Sequence, residues 1–89
     1  MKQKTHAQSI IAYLISNGEK QVDYNTHKYT VLTRHHRLMD GSSIPESATP
    51  VYWYVGTMGA LRVGTSIKDS RPVREEIRAE VIRRGRELS

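Results

Sequence analysis

The chain has 89 residues, of which 37 % are hydrophobic, and its 14 lysines and arginines against 9 aspartates and glutamates give a formal net charge of +5. Residues 1–89 are therefore expected to form a single small basic domain, because so short a chain supports one core. The excess positive charge favours a polyanionic partner, although a net charge of this size is also ordinary for a soluble domain. The absence of cysteine excludes disulfides and fits the cytoplasm, and no apolar run reaches the roughly 18 residues of a membrane span, so no membrane partner is expected.

The N-terminal segment predicts a helix. Thr5 and Gln8 have the spacing of a capping box, in which each side chain accepts a hydrogen bond from the other residue's backbone N–H. The apolar residues that follow recur at helical spacing and form one stripe: Ala7, Ile10, Ile11, Leu14 and Ile15. Asn17-Gly18 is expected to end the helix, because glycine suits the left-handed C-terminal position.

Residues 19–39 allow two interpretations. Residues 28–34 are rich in strand formers, and residues 21–24 would be their partner strand across a turn at 25–27. A helical stripe also fits, through Val31, Leu32, His35, Leu38 and Met39. The β-branched residues favour the strand, whereas the helix would give a winged helix-turn-helix. Residues 40–50 hold two prolines, a glycine and four Ser/Thr residues and are expected to be a loop.

Residues 50–64 predict a β-hairpin whose loop length sets the register. With a loop of two or four residues, Leu61 and Val63 would share a face with the tyrosines. A three-residue loop at 57–59 separates them and puts Gly59 at the left-handed position that such loops need. The apolar face then holds Val51, Trp53, Val55, Leu61 and Val63, and the opposite face holds Tyr52, Tyr54 and Arg62.

The C-terminal segment predicts a helix from Arg71 to Arg86, capped by Asp69 or Ser70 with Pro72 in its first turn. Its core stripe is expected to be Val73, Ile77, Val81 and Leu88. An adjoining face collects Arg71, Arg74, Arg78 and Arg86, with Glu76, Glu80 and Glu87 on the opposite flank. Ile82 falls within the arginine face and is expected to be an exposed protein contact.

The basic and aromatic residues predict a nucleic-acid interface. Arginines outnumber lysines nine to five, and arginine makes bidentate contacts to phosphate or guanine that lysine does not make. Tyr52 and Tyr54 would stack on bases if they face solvent; packing under a helix is the alternative. The candidate residues are Arg34, His36, Arg37, Tyr52, Tyr54, Arg62, Arg71, Arg74, Arg78 and Arg86.

Enzyme chemistry is not predicted. The four histidines lack the spacing of a metal site, and no nucleophile elbow or phosphate-binding loop is present, so no cofactor is expected. We expect a non-enzymatic nucleic-acid-binding protein, for DNA in preference to RNA, with a regulatory or accessory role. Its phosphate contacts are expected to come from the arginine-rich C-terminal helix and from the basic cluster at 34–37. The alternative is a small protein-binding inhibitor or adaptor with an exposed tyrosine surface, whose partner or second copy would bind at Ile82 or the hairpin edge.

The predicted fold is α+β: an antiparallel sheet of about three strands packed by an N-terminal and a C-terminal helix. This order of elements is similar to that of double-stranded-RNA-binding domains. The Lys-Lys pair that opens their last helix is missing from this sequence, so the similarity is one of element order.

Overall fold

The computed structural model describes residues 4–22, 28–34 and 51–88. Their elements are α1 (His6–Ser16), β1 (Gln21–Val22), β2 (Tyr29–Thr33), β3 (Tyr52–Gly56), β4 (Leu61–Gly64), β5 (Ser70–Pro72) and α2 (Glu75–Glu87). The predicted α+β class with two helices and an antiparallel sheet is confirmed, but the sheet has five strands, in the order β1-β2-β3-β4-β5. Neither helix in these ranges is long and apolar enough to cross a membrane.

Helix α1 begins and ends where the sequence predicts. The Gln8 backbone N–H donates to Thr5 Oγ1 at 3.1 Å, and the Thr5 N–H donates to Gln8 Oε1 at 2.9 Å, which completes the capping box. Gly18 has a φ of 97° just after the helix. Ile10 and Leu14 are buried, whereas Ile15 at the margin of the stripe is half exposed.

The hairpin has the predicted register. Val55 lies opposite Leu61 and Trp53 lies opposite Val63. Gly59 has a φ of 91°, which a side chain would disfavour. Two backbone hydrogen bonds close the loop, from Gly59 N–H to Gly56 O at 2.9 Å and from Gly56 N–H to Ala60 O at 2.8 Å.

Residues 29–33 form a strand, as favoured over the helix. In β2, Val31 lies opposite Tyr54 of β3 on one side and Val22 of β1 on the other. The remaining parts of the two interpretations, residues 35–39 and the turn at 25–27, lie outside the described residues, as does the predicted loop at 40–50. Because β3 pairs with β2 and β4 pairs with β5, both hairpin strands are interior. The predicted free hairpin edge is therefore wrong.

The start of the C-terminal helix differs from the prediction. Ser70–Pro72 is strand β5, with Arg71 opposite Val63 of β4, and the helix begins at Glu75 with Arg74 as its N-cap residue. Pro72 disfavours helical backbone at Arg71, the residue before it. The Val73 N–H continues the pairing by donating to Leu61 O at 2.9 Å. Pro72 thus lies in an edge strand, where its missing N–H costs the sheet no hydrogen bond.

Both helices cover one face of the sheet, and the core lies between. It contains Ile10, Leu14, Leu32, Trp53, Val55, Leu61, Ile77, Val81 and Ile82. Ile82 is only 7 % exposed, so its predicted role as an exposed protein contact is wrong. The reason is that α2 packs against α1 as well as the sheet, which requires an apolar arc wider than one stripe.

The two helices meet most closely at a glycine. A Cβ on Gly85 would lie 1.8 Å from the backbone oxygen of Ser9 in α1. Lys4, just before α1, donates from Nζ to the carbonyls of Gly85, at 3.0 Å, and Leu88. An ammonium at this position satisfies the last carbonyls of α2 and complements the negative end of its dipole.

Candidate nucleic-acid interface

Helix α2 carries no net charge, although some of its arginines are predicted site residues. Between Glu75 and Glu87 its four arginines are balanced by four glutamates. Glu80 pairs with Arg83 and, at 3.0 Å, with Arg84 Nε, while Arg83 NH1 also lies 3.0 Å from Glu87 Oε1. The arginines that pair with Glu80 and Glu87 are Arg83 and Arg84, which are not part of the predicted arginine face.

These ion pairs act on the protonation of Glu80. Hydrogen bonds from Arg83 and then Arg84 lower the pKa of this carboxyl from its usual 4.5 to about 2. The carboxylate therefore stays ionised at any pH near neutrality and continues to neutralise its two arginines. The C-terminal turns of α2 are for this reason a weaker attractor for phosphate than their arginine count suggests.

Two of the predicted site arginines donate hydrogen bonds to backbone carbonyl groups. Arg78 Nε donates to Gly59 O at 2.7 Å, which ties α2 to the hairpin loop, and its NH1 donates to Glu75 Oε1 at 2.8 Å. Arg62 donates from Nε to Ser70 Oγ at 2.7 Å and from NH2 to Ser70 O at 2.8 Å, which ties β4 to the start of β5. Removing either side chain would disturb the fold as well as any ligand contact.

The aromatic candidates divide between the interior and the surface. Tyr54 lies on the predicted face with Arg62 but is only 1 % exposed, and it meets Tyr29 edge-to-face with ring centroids 6.4 Å apart. Of the two alternatives for this tyrosine, exposure to solvent is wrong, because its ring packs among its cross-strand neighbours. Tyr52 is half-buried. The half-buried Arg34 lies over the Trp53 ring at 5.3 Å in a cation–π contact, and His36 and Arg37 lie outside the described residues.

A run of exposed basic residues lies at the outer edge of the sheet. Lys68, Arg71 and Arg74 are all exposed and follow one another through β5 to the N-cap of α2; we call these three residues the basic edge. Arg71 forms no ion pair within the described residues. The single acid in this stretch, Asp69, exchanges hydrogen bonds with Ser66 at 3.2 and 3.3 Å.

The backbone of the basic edge explains its spacing. Arg71 is in β5, and Arg74 keeps an extended conformation with φ −56° and ψ 144°. Three extended residues span about 10 Å, so the two guanidinium groups start from well-separated points along one line. The sequence predicts Arg71 and Arg74 as site residues but places them on a helix face. Lys68 is not among the predicted residues, although a count of charges over residues 68–74 would have found it.

A groove of about 390 Å³ lies beside α2. Its lining combines basic, acidic and apolar side chains: His6, Glu75, Arg78, Ala79, Ile82, Arg83, Arg86 and Glu87. Of these, Arg86 is exposed and forms no ion pair within the described part of the chain, whereas Arg83 is paired with acids. The groove therefore offers the single guanidinium of Arg86 beside two glutamates, whereas the basic edge presents three exposed cations along one segment.

The comparisons with known proteins identify no relative. No family model, curated protein or solved structure matches the chain. Within residues 4–22, 28–34 and 51–88 no three histidine, aspartate or glutamate side chains come together in a way that could hold a metal ion. His27, His35 and His36 lie outside these ranges. The function is therefore inferred from the charge and shape of the described surface.

Proposed function

We propose that this protein is a non-enzymatic, cytoplasmic nucleic-acid-binding protein with a regulatory or accessory role, for DNA in preference to RNA. The observation that carries the proposal is the basic edge. Lys68, Arg71 and Arg74 are exposed along an extended segment at an open side of the sheet, with Asp69 inside the segment and Glu75 and Glu76 directly after it. The arginines of α2 are the weaker source of contacts, because Arg78, Arg83 and Arg84 each pair with a glutamate.

The chemistry of the basic edge fits a phosphate backbone. Arginine presents a planar fork of donors that binds phosphate bidentately, and lysine supplies a compact charge. Such contacts fix a protein on a nucleic acid without reading its sequence. A protein that uses them alone binds weakly and without sequence preference, as expected for an accessory protein. Of the predicted base-contacting residues, Tyr52 is half-buried rather than fully exposed.

The protein-binding alternative loses the features on which it depended. Ile82 and Tyr54 are in the interior, and both hairpin strands are paired on both sides. An inhibitor would therefore have to use another surface. The exposed cations at the basic edge favour a polyanion over the largely apolar centre of a protein interface.

Fluorescence anisotropy with a labelled 20-base-pair DNA duplex tests this proposal, with an RNA duplex and single-stranded DNA as comparisons. Non-specific binding of this kind has dissociation constants of about 1–100 μM at physiological salt. If all three cations of the basic edge contact phosphates, the slope of log K against log salt should be about −2.7 for the DNA duplex. Absence of binding to any of the three nucleic acids at about 50 mM salt would contradict the proposal.

A further inference from the structure

The hairpin loop displays a hydrophobic side chain in water. Met58, at the centre of the loop at 57–59, is 87 % exposed, and no other large hydrophobic residue among the described ones is as exposed. A single exposed apolar residue is ordinary on a protein surface. Two further observations distinguish this one: its loop is firmly held, and it lies at one end of the basic edge.

The loop that carries Met58 is fixed from below. Arg78 Nε donates to Gly59 O at 2.7 Å, and a Cβ on Gly59 would lie 2.5 Å from the Cβ of His6 in α1. Gly59 is buried although its neighbours in the loop are exposed. Both helices therefore support the loop from the protein side, and Met58 is presented outward on a backbone that is already ordered.

The sheet register places the basic edge beside this loop. Val73 donates its N–H to Leu61 O at 2.9 Å, and Leu61 follows the loop closely in the chain. Arg74, the next residue after Val73, therefore lies at the loop end of the sheet, and Arg71 and Lys68 lie progressively farther from it. The Arg78 guanidinium, which is paired with Glu75, also lies at the base of the loop.

We propose that Met58 is an apolar wedge that enters the minor groove of a DNA duplex whose phosphates lie along the basic edge. This inference rests on the proposed function and specifies its ligand as duplex DNA. Minor-groove proteins insert residues such as methionine between base steps, which unstacks the step and bends the duplex. Methionine suits this role, because its unbranched, polarizable side chain adapts to an irregular apolar gap.

Bending of a duplex labelled at both ends is measured by energy transfer, and opening of one step is measured by the fluorescence of an internal 2-aminopurine. The wild-type protein should bend the duplex by about 20–90° and increase the 2-aminopurine signal. Met58→Ala should abolish both signals and weaken binding about tenfold, with the salt slope unchanged. Met58→Leu should retain both signals, and the matched control Thr57→Ala, at the neighbouring exposed position, should behave as wild type.

The outcomes separate the two proposals. A wild-type protein that binds the duplex with the expected salt slope but neither bends it nor changes the 2-aminopurine signal would overturn the wedge and leave the proposed function standing. The same holds if Met58→Ala bends the duplex as well as wild type does. If the wild-type protein binds no nucleic acid, both proposals fail. Circular dichroism of Met58→Ala should match that of the wild type, since the side chain is almost fully exposed.

Discussion

The contact between the two helices makes a prediction that runs against helix propensity. Alanine is a better helix former than glycine by about 1 kcal/mol, so propensity alone expects Gly85→Ala to stabilise α2. The structure predicts the opposite. A Cβ at Gly85 would lie 1.8 Å from the oxygen and 2.5 Å from the carbonyl carbon of Ser9. Both atoms belong to the backbone of α1, so no side-chain rotation relieves the clash.

The expected cost follows from the separation that the new methyl group requires. Carbon and oxygen approach to about 3.3 Å, so α1 must move by about 1.5 Å from α2. A gap of 0.5–1 Å already removes about a quarter to a half of each dispersion contact, here among Ile10, Leu14, Val81 and Ile82. Overpacking should lower the free energy of unfolding by about 3 kcal/mol, and the better helix propensity of alanine should offset about 1 kcal/mol of this. The net loss of stability is then about 2 kcal/mol. The melting temperature should fall by about 8–16 °C.

Thermal and urea denaturation, followed by circular dichroism and by Trp53 fluorescence, measures this loss. Ala79→Gly on the exposed side of α2 is the control, and it should cost only the propensity difference of about 1 kcal/mol. Gly85→Ala should therefore be the more destabilising of the two changes, although it replaces a poor helix former with a good one. A variant Gly85→Ala with unchanged or increased stability would refute the close helix contact.

Two further predictions concern the hairpin and the ion pairs. Gly59→Val should destabilise the protein far more than Thr57→Val, because only Gly59 has positive φ and meets His6; equal urea midpoints would contradict this. The Glu80 carboxyl should titrate near pH 2 by NMR, and loss of the Arg83 side chain should raise that midpoint towards 4.5. Because this pKa is lowered, any stabilisation by the Glu80–Arg83 pair is present above pH 4.5 and disappears as the pH falls from about 4.5 to 2. A Glu80 titration midpoint that Arg83→Ala leaves unchanged would contradict the stated cause of the low pKa.

The parts of the fold that could be predicted are those with local signals. The capping box at Thr5 and Gln8 marks the start of α1, and the spacing between Val55 and Leu61 permits one alternation that keeps the apolar residues together. Strand β5 has no such signal. Its three residues are too few to show a period, and Pro72 is as typical of a helix start as of an edge strand. Pairing with β4, a non-local interaction, decides between them.

The candidate site was predicted in part for a similar reason. Arg71 and Arg74 are exposed as expected, but Arg62 and Arg78 donate to backbone carbonyls of distant residues, which no local pattern indicates. Ile82 was misplaced because a single apolar stripe suffices for a helix with one partner, and α2 has two. The sequence thus identifies the basic residues, and tertiary contacts determine which of them remain available to a ligand.

The central claim is that the basic edge, rather than the total charge, binds phosphate, and two double variants test it directly. Arg71→Ala/Arg74→Ala and Arg83→Ala/Arg84→Ala remove the same charge, but Arg83 and Arg84 are held in ion pairs with Glu80 and Glu87 within α2. On a DNA duplex, the first variant should flatten the slope of log K against log salt by nearly two units and weaken binding to every sequence alike. The second should leave the slope close to that of wild type. Equal slopes for the two variants, or an unchanged slope for the first, would contradict the claim.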